Sequence, residues 1–151
     1  MYYESNSVND TLSFARALGH VLRAGDVLCL SGELGTGKTV FVKGIASALG
    51  YSGEITSPTF TIIHPYPEIG LCHVDAFRLG SARELVEAGL EEYLDGDWIC
   101  AVEWAEKVRD ALPDRALLVL FEFAELENSR RIAIRPEGGW DGRANSILRG
   151  F

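Results

Sequence analysis

The sequence predicts an α/β fold, a mixed and mostly parallel sheet flanked by helices, with antiparallel hairpins added to it. Three observations predict it. Two short apolar runs, DVLCLS at residues 26–31 and WICAVE at 98–103, have the near-continuous hydrophobicity of strands buried on both faces. The first runs through the glycine-rich stretch 32–37 into a segment of helical period, giving the order strand, loop, helix. The stretches 53–75 and 115–135 each hold two β-type runs separated by turn-forming or acidic residues, the layout of hairpins.

Taken in order, Ser7 and Asp10 stand at the spacing of a capping box, although Glu or Gln is the usual partner. Leu12, Ala15, Leu18 and Leu22 then recur at helical spacing, predicting a helix over 9–23 that Gly25 closes. After the strand at 26–31 and the loop at 32–37, residues 38–49 carry Phe41, Ile45, Ala48 and Leu49 on one helical stripe that stops at Gly50. The β-branched and aromatic stretch that follows is broken by Pro65, Tyr66, Pro67 and Gly70, so 60–64 and 71–75 read as two arms of a hairpin. Residues 81–93 read as helical with a break near Gly89, 98–103 as a buried strand, and 105–112 as a short helix ending before Pro113. The arms of the second hairpin are 115–122 and 130–135, and the tail 136–151 is glycine-rich with no clear element. Without repeat, linker or low-complexity segment, the 151 residues suit a single domain, 1–151.

Composition narrows the function. Hydrophobic residues make up 47% and charged residues 24%, so a sizeable core is expected. The 22 acidic against 14 basic residues leave a net charge of -8, which disfavours a protein whose main task is to wrap a phosphate backbone. No direct sequence-specific binding of nucleic acid is expected. No apolar run reaches the roughly 18 residues of a membrane span, and MYYESNSVND lacks the layout of a signal peptide, so the expected location is cytoplasmic. The three cysteines, in LCLSG, LCHVD and WICAVEW, read as buried reduced thiols.

The chemistry centres on SGELGTGKT, which contains G-x-x-x-x-G-K-[ST] in full at Gly32, Gly37, Lys38 and Thr39. This is the phosphate-binding P-loop pattern, in the strand–loop–helix context it needs. Its glycines let consecutive backbone N–H groups point at phosphate oxygens, and the helix N-terminus adds positive potential. Lys38 is placed to reach the β- and γ-phosphates and the Thr39 hydroxyl to bind Mg²⁺. A P-loop nucleoside triphosphatase also needs a carboxylate on a neighbouring strand for the magnesium shell. Glu103, ending the apolar run Ile99 to Val102, supplies one; the alternative is a strand-end Glu that reaches solvent.

Further polar groups surround this set. Strand alternation puts His73 and Asp75 on one face and Cys72 and Val74 on the other. Asp75 is placed to position water or a magnesium ligand, or else to pair with Arg78. Ser57, Pro58, Thr59 and Phe60 form either a γ-phosphate-sensing switch or a turn before a strand. Trp104 contacts nucleotide or a partner, or is a half-buried core residue, and Glu84, Glu87, Glu91 and Glu92 read as a solvated helix face.

In order along the chain, GELGTGKT, SPTFTII, HVDAFRL and VEWAE resemble the TsaE (YjeE) family, the small bacterial ATPase of tRNA threonylcarbamoyladenosine synthesis. The resemblance spans the first helix to the hairpin ending near Arg135. It implies ATP and Mg²⁺ as cofactors, phosphate contacts from Gly35, Thr36, Gly37, Lys38 and Thr39, further cofactor-binding positions at Glu33, Leu34 and Val40, and Mg²⁺ held by Thr39 and Glu103. It implies a catalytic set of Lys38, Asp75 and Glu103, with Thr11 near the nucleotide and Thr59 in a switch-like loop. It also implies an accessory role, docking on TsaB- and TsaD-like proteins that handle the tRNA. Val40, Phe77 and Ala105 stand where the family pattern has Thr, Tyr and Pro, which removes a hydroxyl near the α-phosphate and a phenol. The competing readings are a small-molecule kinase, for which no arginine-bearing lid is evident, and a nucleotide-gated assembly module.

Overall fold

The structure is a computed structural model that describes residues 2–56, 61–136 and 140–149. Among these, the strands are β1 (Tyr2–Ser5), β2 (Val27–Gly32), β3 (Ile63–Tyr66), β4 (Leu71–Asp75), β5 (Ile99–Glu103), β6 (Leu117–Phe123) and β7 (Arg130–Arg135). They form one sheet in the order β1-β7-β6-β2-β5-β4-β3. The central β6, β2, β5 and β4 are parallel. Antiparallel β3 closes one side, and antiparallel β7 followed by β1 the other. The expected mixed, mostly parallel sheet with hairpin additions is therefore observed.

Helices cover both faces. On one lie α1 (Val8–Gly19), α2 (Lys38–Ala48) and α5 (Asp141–Leu148), whose Phe14, Leu18, Phe41, Ile45, Trp140 and Ile147 pack with Leu28, Leu30, Leu117 and Val119 of the sheet. On the other, α3 (Ala82–Glu87) contributes Leu85, with Leu90, Val108 and Leu112 from the connections, over Val27, Cys29, Cys72, Val74, Cys100 and Val102. Alternation along β2 sorts these sets, Leu28 and Leu30 to one side, Val27 and Cys29 to the other. The three cysteines are all buried on that second face.

Several expectations are corrected in detail. The first helix ends at Gly19, not near residue 23, because the chain tightens into short turns (Val21 N–H to Leu18 O, Leu22 N–H to Gly19 O) on its way to β2. Val21 and Leu22 still pack on the core, which explains why the helical period ran on. Ser7 does cap α1, accepting from the Asp10 N–H at 3.0 Å, while the Asp10 carboxylate accepts from Asn6 N–H. The first hairpin arm is shifted: Pro65 and Tyr66 belong to β3, with Pro65 opposite Cys72, a place open to proline because β3 is an edge strand. The segment 105–112 is two 3₁₀ turns, Ala105–Lys107 and Arg109–Ala111, separated by Val108 at φ -130°. The break at Gly89 is observed, between α3 and the single turn α4 (Glu91–Leu94).

Two elements come as additions. The strand β1 pairs with β7, Tyr2 opposite Ala133. The tail holds α5, anchored by the Trp140 indole N–H donating to Arg115 O and by Arg143 bridging both oxygens of Asp26 at 2.7 and 3.1 Å.

Candidate functional site

The glycine loop between β2 and α2 sits where the parallel strands end, the usual ligand position in such sheets. Gly37 caps α2 at φ 102° and ψ 17°, a left-handed conformation that a side chain would strain. A Cβ on Gly32 would lie 2.6 Å from Phe121 O and 2.9 Å from Thr36 Oγ1, so the loop lies tight on β6. The loop is held from within: Thr36 donates to Glu33 O at 2.6 Å, and Lys38 Nζ donates to Gly32 O and, at 2.9 Å, to Glu33 O. Folded back in this way, Lys38 is 5% exposed despite its charge. Burial pushes its ammonium below the ordinary lysine range, opposed by Glu103, Glu106 and Asp75, which favour the charge.

Beside the loop, the parallel pairing of β4 with β5 sets Asp75 opposite Glu103. Glu103 is buried, and the Thr39 hydroxyl reaches its two oxygens at 2.9 and 3.1 Å. This answers the question left open by the sequence: Glu103 turns inward to Thr39, not outward to solvent. Asp75 Oδ1 accepts from the Phe77 N–H at 2.9 Å. Trp104 follows Glu103 at φ 59° and ψ 38°, with its ring 4.2 Å from Lys38 Nζ and tilted against Phe77 at 5.0 Å.

A cleft of about 470 Å³ gathers Leu34, Gly35, Gly37, Lys38, Thr39, Val40, Asp75, Glu103 and Trp104, together with Thr61, Ile62, Phe77 and Arg78. Thr11 and Thr36 face a second cleft of about 380 Å³ across the same loop, sharing Gly35, Gly37 and Val40 with the first. Buried Thr11 is fixed there at 2.7 Å from Ser5 Oγ. Glu33 lines neither cleft; its carbonyl is what holds Lys38 and Thr36. Thr59 lies outside the described residues.

Four further residues, His73, Arg130, Asn6 and Asn128, join the site without having been singled out by the sequence. His73 is fully buried, with Nε2 2.5 Å from Glu103 Oε2. Its signal was present, since alternation already placed it on the face of Asp75. Arg130 reaches across from β7 to Gly35 O at 3.3 to 3.4 Å and, with Asn6 and Asn128, lines the second cleft. Nothing in their spacing marks these, because β1 and β7 meet the loop only through the order of the sheet.

The donor set suits a hard cation: a hydroxyl and a carboxylate in contact, with a second carboxylate on the same cleft, are all oxygen ligands. The loop suits an anion, since the first N–H groups of α2 have no acceptor within the helix and Lys38 stands among them.

The family profile described as threonylcarbamoyl adenosine biosynthesis protein TsaE matches residues 5–132. The chain belongs to the TsaE family. It is 40% identical to the tRNA threonylcarbamoyladenosine biosynthesis protein TsaE of Treponema pallidum over 76% of this chain and 86% of that one. To the Bacillus subtilis protein of the same description it is 39% identical over 85% and 81%. A crystal structure of Bacillus subtilis YdiB superposes with a TM-score of 0.82 at 31% identity, covering 99% of this chain and 95% of the other. Within this TsaE chain the family profile ends inside β7, so α5 lies beyond the matched residues.

Proposed function

We propose that this chain is a Mg²⁺-dependent ATP-binding and ATP-hydrolysing protein that serves tRNA threonylcarbamoyladenosine biosynthesis through TsaB- and TsaD-like partner proteins. The observation that carries this reading is the contact of Thr39 with Glu103 at 2.9 Å, directly beside Lys38 and opposite Asp75. Together they form a phosphate loop, a cation ligand pair and a candidate water-orienting carboxylate in one cleft.

In this reading the loop backbone from Gly35 to Thr39 cradles the phosphates, and Lys38 leaves the carbonyls of Gly32 and Glu33 to pair with phosphate oxygen. Thr39 and Glu103 would hold the magnesium, which when bound would neutralise negative charge on the phosphates. Asp75, aimed by its bond from the Phe77 N–H, orients the attacking water. Trp104 and Leu34 shield the cleft from solvent. The second cleft, with Thr11, Asn6, Asn128 and Arg130 around the far side of the loop, takes the nucleoside. The net charge of -8 fits a protein that leaves tRNA to its partners.

The test is steady-state ATP hydrolysis by the purified chain with and without a purified TsaB–TsaD complex. Stimulation by the complex supports the reading; a rate indifferent to the complex contradicts the proposed coupling.

A further inference from the structure

We infer that His73 is a positioning residue for the cation side of this site, clamping the Glu103 carboxylate so that one oxygen faces Thr39 and the cleft. The inference rests on the reading of Thr39 and Glu103 as Mg²⁺ ligands.

His73 is 0% exposed, in mid-strand between β3 and β5. Of its two ring nitrogens, Nε2 lies 2.5 Å from Glu103 Oε2, while Nδ1 has no hydrogen-bond partner among the described residues. With Oε2 at hydrogen-bond distance from Nε2 and no acceptor facing Nδ1 among the described residues, the geometry assigns the tautomer in which Nε2–H donates to Glu103. Packing does not explain an imidazole here. Of its neighbours on the same face, Leu71 and Ala101 are apolar, and although Asp75 lies two residues on and His64 directly across the strand pair, the ring bonds to Glu103; an aliphatic side chain would leave no orphan nitrogen in the core.

The geometry does explain it. The Thr39 hydroxyl has one hydrogen, shared between Glu103 oxygens at 2.9 and 3.1 Å, and so does not fix which oxygen faces the cleft. The bond from His73 holds Oε2 and removes that freedom. Thr39 can then present a hydroxyl lone pair to a cation while still donating to the carboxylate. Outer partners that orient a ligand in this way commonly set metal affinity by about 10- to 100-fold.

The test measures binding of a non-hydrolysable ATP analogue by calorimetry, in EDTA and across a Mg²⁺ series, for the wild type, His73→Leu and His73→Gln. Gln places an amide N–H near the position of Nε2. The expected result is unchanged affinity in EDTA for all three. For His73→Leu the Mg²⁺ concentration giving half of the metal-dependent gain rises by about 10- to 100-fold, and His73→Gln recovers most of that loss. If His73→Leu does not fold, His73→Asn, too short to reach Glu103, takes its place. Wild-type Mg²⁺ dependence in the Leu or Asn variant overturns the inference. So does an equal loss with and without Mg²⁺, or a Gln variant no better than Leu. A wild type that binds no nucleotide removes the functional reading itself, and the inference falls with it.

Discussion

Lys38 Nζ lies 4.2 Å from the centre of the Trp104 ring, and Trp104 holds a left-handed backbone conformation, the one non-glycine residue with positive φ among the described residues. That conformation costs a side-chain-bearing residue about 1–2 kcal/mol, and strain of this kind gathers at functional sites. A ring facing a cation contributes about 0.5–2 kcal/mol and here keeps the ammonium in the cleft. Trp104→Gly is therefore expected to melt close to the wild type while binding ATP about two- to thirtyfold more weakly. A thermal melt and calorimetry together check both halves.

Thr39→Val removes the hydroxyl with little change of shape. In EDTA its nucleotide affinity should equal that of the wild type, because the phosphate loop is untouched. In Mg²⁺ the wild type alone should gain affinity. Calorimetry under the two conditions separates a metal ligand from a phosphate ligand.

Helices α1 and α2 touch at Gly44, where a Cβ would lie 2.5 Å from Ala15 Cβ and 2.8 Å from Leu12 O. Gly→Ala in a helix gains up to about 1 kcal/mol in propensity, but overpacking costs about 1–3 kcal/mol. The second effect wins at so short a distance to backbone. Gly44→Ala should lower the melting temperature by several degrees, as read by circular dichroism.

Trp140 is 2% exposed, packs in the core beneath α5 and donates its indole N–H to Arg115 O at 2.9 Å. Trp140→Ala should cost about 3–5 kcal/mol in a denaturant titration. Since this side chain lies on neither cleft, nucleotide affinity of the folded fraction should be unchanged.

What the sequence made legible depended on how local each signal was. β2, the glycine loop and α2 are contiguous, so one motif and one hydrophobic stripe described all three, and Lys38, Thr39 and Glu103 line one cleft. The bounds of α1 were obscured because Val21 and Leu22 keep the apolar period in a turn that also packs on the core. β1 is a four-residue edge strand, YYES, whose pairing with β7 depends on residues more than a hundred positions away. α5 was hidden in a glycine-rich tail because its anchors, Arg115 and Asp26, lie far back in the chain. The bond from His73 to Glu103 needed the adjacency of β4 and β5, which alternation along one strand does not supply. Thr59 lies outside the described residues.

The proposed hydrolysis of ATP at the loop carrying Lys38 is tested most directly by Mg²⁺-dependent phosphate release by Lys38→Ala against the wild type. Loss of a preorganised charge-stabilising donor costs about 2.7–4 kcal/mol of barrier, so turnover should fall about 10²- to 10³-fold in a variant that melts like the wild type. Undiminished hydrolysis by folded Lys38→Ala would contradict the account.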